Sequence, residues 1–136
     1  MEKVFVDTDI VLDLLSNREP FYTHSAYLFS EADKGKTKIY VSSLSFSNLN
    51  YILSRQYSPD QARKKLLKFK TLVTVLSVTD KVVELALSSD FKDFEDGLQY
   101  FTAIENNIRT LLTRNLKDYK SAEIPVMTAE QFLKGK

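Results

Sequence analysis

The chain has no cysteine, which excludes disulfides, thiolate nucleophiles and cysteine metal sites, and fits a reducing compartment. It has a single histidine, His24, so any metal site must be built mainly from oxygen ligands. That points to Mg²⁺ or Mn²⁺ rather than zinc. Charge of one sign is not in excess: the net charge is +1, and any nucleic-acid binding must come from a local patch. No apolar run approaches the roughly 20 residues that cross a bilayer. Met1-Glu2-Lys3 leads straight into a strand-like run, without the pattern of a cleavable signal. These absences give the expectation of a cytoplasmic protein without membrane contact. Internal repeats, low-complexity tracts and linkers are also missing, so the 136 residues are expected to form one domain spanning 1–136. Such a length buries about two-thirds of its unfolded surface. Hydrophobic residues at 43% and charged residues at 27% describe a globular composition, not a disordered one.

What is present begins with the first stretch. Lys3–Val6 is a β-branched and aromatic run that ends abruptly in Asp7-Thr8-Asp9, and an apolar helical pattern follows at once. The run reads as a central strand buried on both faces. A carboxylate at the C-terminal end of such a strand lies where open α/β sheets bind ligands.

The remaining pattern alternates helix and strand. Helices are expected over Ile10–Ser16, Phe21–Asp33, Phe46 to about Tyr57, Pro59–Lys70, Thr79–Ser88, Glu95–Asn107 and Thr128–Leu133. Strands are expected at Lys38–Ser42, Leu72–Val78, Thr110–Thr113 and Ile124–Met127, the last at an edge because of Pro125. Caps are assigned to Thr8 or Asp9, Ser43 or Ser45, and Thr79 or Asp80, with a capping box at Thr128 and Gln131. This alternation predicts a three-layer α/β/α fold on a mostly parallel sheet of about five strands. Right-handed crossovers then put the strand C-termini on one edge. That edge collects Asp7, the loop after Val41, and Asn115 with Asp118; Asp96 reaches it where the sheet order reverses beside the first strand.

Carboxylates crowded around one point repel each other unless a hard cation neutralises them. A cation so held can acidify water and stabilise charge on a phosphodiester oxygen. We therefore expect Asp7, Asp96 and Asp118 to be catalytic metal ligands. Asp93, one helical turn before Asp96, supports them. Asp9 and Asp13 read as caps or as groups standing behind the ligands. Arg114 is placed for a substrate phosphate, with pairing to a carboxylate as the alternative. The cations Arg55, Arg63, Lys64, Lys65, Lys68 and Lys70 could track an RNA backbone or form a solvated helix face.

VFVDTDIVLDLL followed by Arg18-Glu19-Pro20, DFEDGLQYFTA (Asp93–Ala103) and LLTRNLKDY (Leu111–Tyr119) together resemble the PIN domain. The likeness is greatest to the bacterial subgroup that includes VapC-type toxins of toxin–antitoxin pairs, and it covers nearly the whole chain in order and spacing. The resemblance implies the strand order 3-2-1-4-5 and an Mg²⁺- or Mn²⁺-dependent ribonuclease. It also implies an RNA substrate, an antitoxin partner and a homodimer. It matches Asp7 to the acid of the first strand, Asp96 to the helix acid, and Asp118 to the acid after the fourth strand. Thr113 and Asn115 match the small polar residues that support the site. The family's remaining acid falls in a Ser-x-x-x-x-x-Glu-like stretch, and Asn48 stands in its place, counted from Ser42. An amide can ligate a metal or hold water but brings no charge, so a weak or non-catalytic PIN-like binding module is the alternative reading.

Two other readings of the opening fit less well. Haloacid-dehalogenase phosphatases share the Asp-x-Asp spacing of Asp7 and Asp9 but follow it with Gly-Thr in a loop, whereas Ile10-Val11-Leu12 enters a helix. A receiver domain needs an acceptor aspartate ending the third strand, and Leu76-Ser77-Val78 offers none.

Overall fold

The computed structural model describes residues 1–136. Its first half runs β1 (Glu2–Val6), α1 (Thr8–Leu15), α2 (Tyr22–Asp33), β2 (Thr37–Ser42), α3 (Ser43–Gln56), α4 (Pro59–Lys70) and β3 (Thr74–Leu76). There follow α5 (Asp80–Leu87), α6 (Phe94–Glu105), β4 (Leu111–Leu112), a 3₁₀ turn at Leu116–Tyr119, β5 (Val126–Met127) and α7 (Ala129–Lys134).

Alternation along the strands decides the layering. Val4 and Val6 of β1 join one core with Ile39 and Val41 of β2 and Leu112 of β4. Phe5, Tyr40 and Leu111, the residues between or beside them, join another. A sheet apolar on both faces needs helices on both. The first face is covered by Ile10 and Val11 of α1, Leu28 and Phe29 of α2, Leu49 and Leu53 of α3, Leu66 and Phe69 of α4, and Phe132 of α7. Phe29 and Phe69 meet edge to face with ring centroids 5.2 Å apart. Each such buried side chain contributes roughly 1.5–3 kcal/mol. The second face is covered by Tyr100 and Ala103 of α6, and α5 packs outside α6 through Val82, Ala86 and Leu98. Gly97 permits that approach: a Cβ there would stand 3.3 Å from the Ala86 Cβ.

The sheet is parallel throughout, in the order β3-β2-β1-β4-β5. The three-layer α/β/α architecture and strand order thus match the expectation. The chain moves outward from β1 through β2 to β3, then returns to β1's other side. The reversal between β1 and β4 opens the crevice where α/β sheets bind ligands.

Several boundaries differ from the sequence reading, and caps explain most of them. Asp7, not Thr8 or Asp9, caps α1, accepting the Thr8 N–H at 2.8 Å, so the helix starts two residues early. Ser42, not Ser43 or Ser45, caps α3, and Asp93 caps α6, which begins at Phe94 and ends at Glu105. β3, β4 and β5 are shorter than expected because their partners pair with them over only two or three residues. The helix Pro59–Lys70, the Thr79 cap and the Thr128–Gln131 capping box appear as expected. α2 stops where Gly35 takes φ +73°, a left-handed turn that glycine adopts without strain. No helix is long and apolar enough to cross a membrane.

Candidate active site

Asp7 leaves β1 at the crevice and is almost fully buried. Every partner it has is a neutral donor. Its Oδ1 accepts the Thr8 N–H at 2.8 Å and Gln99 Nε2 at 3.4 Å. Its Oδ2 accepts the Thr113 and Tyr119 hydroxyls, each at 3.0 Å. Burial pushes its carboxyl above the usual range, and those hydrogen bonds push back. The Tyr119 hydroxyl is itself held above its ordinary value by burial and by Asp7's charge, so it stays a donor.

Asp9 faces the same space. Its Oδ2 accepts the Arg114 N–H at 2.9 Å, Thr113 Oγ1 at 3.3 Å and Asn115 Nδ2 at 3.3 Å. Its Oδ1 is buried without any partner. Burial, then Asp7's charge, push this carboxyl up to about 6 against the Arg114 N–H. Asp96, in the first turn of α6, is pushed up to about 7 by burial and then by the charges of Asp7, Asp93 and Asp118. The acids crowd one another, with Arg114's charge easing Asp9 only in part.

Asp7, Asp9, Asn48, Glu95, Asp96 and Asn115 line one cleft of about 780 Å³. Asp118 does not open onto it. Exposed on the 3₁₀ turn, it lines an adjoining recess of about 250 Å³ with Asp93, and Asp96 is the wall the two spaces share. The structure thus sets Asp118 beside the cleft rather than in it, and no three His, Asp or Glu side chains are drawn together tightly enough to cage a metal ion by themselves. Asp93 is spent as a cap, its Oδ1 accepting the Asp96 N–H at 3.2 Å.

For Arg114 the structure shows the alternative reading, pairing with a carboxylate. Its guanidinium is not free for a phosphate but forks onto buried Asp13, Nε to Oδ2 at 2.7 Å and Nη2 to Oδ1 at 3.1 Å. Its other face stacks on Phe21, 4.0 Å from the ring centroid. Arg18 stays exposed beside it, only 3.8 Å from Asp13, and lines the cleft.

Gln99 went unnoticed in the sequence. It lies three residues after Asp96, hence on the same helical face, and that spacing was the available signal. It is fully buried and joins four elements. Nε2 reaches Asp7, Thr8 at 3.2 Å and Ser45 at 2.8 Å, while Oε1 accepts the Ser42 hydroxyl at 2.6 Å. This network ties the caps of α1 and α3 to α6 and fixes the cleft floor.

The donor set is oxygen throughout, with an unpartnered buried carboxylate oxygen and with carboxyls raised by burial and, for Asp9 and Asp96, by neighbouring acids. It fits a hard divalent ion held by one or two carboxylates with water completing the shell, not an all-protein cage.

The sheet order with an acid at the end of β1 and another on the helix facing it defines an α/β fold of the PIN type. The chain belongs to the PIN domain family, whose profile matches residues 3–117. It is 30% identical to ribonuclease VapC1 of Aquifex aeolicus over 96% of this chain and 93% of that one. In structure it is similar to VapBC2 from Rickettsia felis bound to a DNA fragment from the promoter, with TM-score 0.69 and 20% identity over 92% and 96% of the two chains. It is similar also to VapC20 of Mycobacterium tuberculosis, a sarcin–ricin loop cleaving toxin, with TM-score 0.68 and 16% identity over 90% and 98%.

Proposed function

We propose that this protein is an endoribonuclease that hydrolyses RNA phosphodiester bonds with Mg²⁺ or Mn²⁺, and that it is the toxin of a toxin–antitoxin pair. The observation that carries the reading is the cleft itself, where Asp7, Asp9 and Asp96 converge, Asp9 and Asp96 raised by burial and by Asp7's charge. Kinship with a VapC ribonuclease supports the reaction class, and likeness to VapBC structures supports a protein antitoxin as partner. We carry over the homodimer and cytoplasmic location as part of the same proposal.

In this reading Asp7 and Asp96 would hold the ion, and Asp118 and the Asn48 and Asn115 amides could add oxygen donors to it. When bound, the ion supplies positive charge against a phosphodiester oxygen and acidity for the attacking water. The protein's own part is positional. Thr113, Tyr119, Gln99 and the Thr8 N–H fix both oxygens of Asp7, so no rotamer search follows substrate arrival. Asn115 and the Arg114 N–H hold one oxygen of Asp9 and leave the other free.

Asn48 favours a second reading, a PIN-like module that binds RNA or protein without cleaving, because the amide contributes no charge to the cleft. The test is a nuclease assay on mixed single-stranded RNA in Mn²⁺, wild type against Asp7→Asn. Cleavage by the wild type alone is expected. Cleavage by both preparations would mark contamination and remove support for this site; cleavage by neither would favour the binding module.

A further inference from the structure

We propose that the outer half of the cleft is a nucleotide subsite, in which Tyr51 stacks on a base of single-stranded RNA while Arg18 and Arg55 take the adjoining phosphates. The inference rests on the ribonuclease reading and names how that substrate is held.

Asn48, Tyr51, Ile52 and Arg55 recur at i, i+3, i+4 and i+7, a single face of α3. Asn48, Tyr51 and Ile52 line the cleft with Asp7 and Asp96, so the face runs from the acids outward. Tyr51 is 61% exposed, whereas Tyr40, Tyr100 and Tyr119 are buried in the core. It therefore takes no part in the core that would explain a large aromatic ring there. The Arg55 guanidinium lies 4.8 Å from the Tyr51 ring centroid. No carboxylate lies within 4.0 Å of Arg55.

Arg18 stands in the same cleft, and its nearest carboxylate, Asp13, is already forked by Arg114. The Ser16 hydroxyl donates to Gln56 Oε1 at 2.6 Å, tying the end of α1, two residues before Arg18, to the end of α3, one residue after Arg55. Buried Asp7 lies at the inner end of the cleft, while exposed Arg18 lies in its outer part and Arg55 sits one turn further along the Tyr51 face.

A cleft of 780 Å³ is far larger than a hydrated ion needs and falls within the roughly 300–1,000 Å³ of ligand clefts. Exposed tyrosine faces with nearby arginines are how single strands are held without sequence readout. A base inside a duplex could not present its face to Tyr51, which selects unpaired RNA. The cations of α4 do not line the cleft and are not needed here.

The probe is a fluorescein-labelled, mixed-sequence, single-stranded RNA decamer, read by anisotropy in EDTA and by cleavage kinetics in Mn²⁺. Tyr51→Ala is expected to weaken binding about tenfold, with Tyr51→Phe close to wild type, since stacking needs the ring and not the hydroxyl. The loss should fall on KM more than on kcat. Arg18→Gln and Arg55→Gln should each weaken binding and flatten its salt dependence by about one phosphate contact. These two exposed sites carry the test should Tyr51→Ala melt early. Tyr27→Ala, an exposed tyrosine of α2 outside the cleft, is the control.

Equal affinity for Tyr51→Ala, Tyr51→Phe and Tyr27→Ala would overturn the subsite while wild-type cleavage kept the nuclease reading. An unchanged RNA affinity with an altered oligomeric state would assign the patch to a protein contact and overturn it too. A wild type that neither binds nor cleaves the decamer would overturn both.

Discussion

Two aspartates at opposite ends of α1 are both buried, yet their surroundings differ completely. Asp13 is 1% exposed and receives a forked guanidinium from Arg114. Asp7 is 7% exposed and receives four neutral donors, with Asp9 and Asp96 as its charged neighbours. A buried charge must be paired or made costly. Asp13 is paired, and its work is structural: it pins the turn after β4 to α1. Asp7 is held in orientation but not neutralised. A carboxylate held fixed by neutral donors, with other acids beside it, suits the coordination of a hard divalent ion.

The comparison can be broken at its structural end first. Arg114→Met leaves Asp13 buried without its partner, and we expect a loss of about 3–5 kcal/mol in urea denaturation. Asp7→Asn in the same assay should be neutral or stabilising, because it removes a charge that burial opposes. A larger loss for Asp7→Asn than for Arg114→Met would reverse the two roles.

Asn48→Asp sharpens the functional end. Adding a charge to the cleft without adding bulk should tighten Mn²⁺ binding about tenfold, or roughly 1.4 kcal/mol. In metal-free protein the same substitution should destabilise the fold, by crowding another carboxylate against Asp7 and Asp96. Calorimetry with Mn²⁺ and thermal denaturation in EDTA read the two effects separately.

A smaller effect is pH-dependent. Asp96, pushed up to about 7, and Asp9, up to about 6, bind protons more readily folded than unfolded. Between the ordinary carboxylate value near 3.8 and about 7 the native state therefore carries more protons, and stability falls as pH rises through that window. Denaturation midpoints in EDTA should decline from pH 4 toward pH 7, and Asp96→Asn should flatten the decline. Smallest of all, Tyr119→Phe removes one donor from Asp7 and should cost about 1 kcal/mol.

Much of the fold could be read from the sequence, because its signals are local. The Lys3–Val6 run ending in Asp7 announces a central strand with a carboxylate at its tip, and Ser58-Pro59 announces α4. The site was harder. Asp118 sits on the 3₁₀ turn in a recess next to the cleft of Asp7, and no periodicity in the sequence reports which of the two spaces it faces. Arg114 and Asp13 are far apart in the chain, so their pairing follows only from the register of β1 against β4. Gln99 could have been found by extending the Asp96 face one turn, since a buried glutamine must spend its amide somewhere.

The central claim is that the carboxylates around Asp7 bind a divalent cation. Isothermal titration of Mn²⁺ into the metal-free protein tests it directly, with Asp7→Asn, Asp96→Asn and Asp13→Asn beside the wild type. Saturable binding by wild type and by Asp13→Asn, abolished by Asp7→Asn and by Asp96→Asn, is the predicted result. A wild type that takes up no Mn²⁺, or uptake that survives loss of both Asp7 and Asp96, would contradict it.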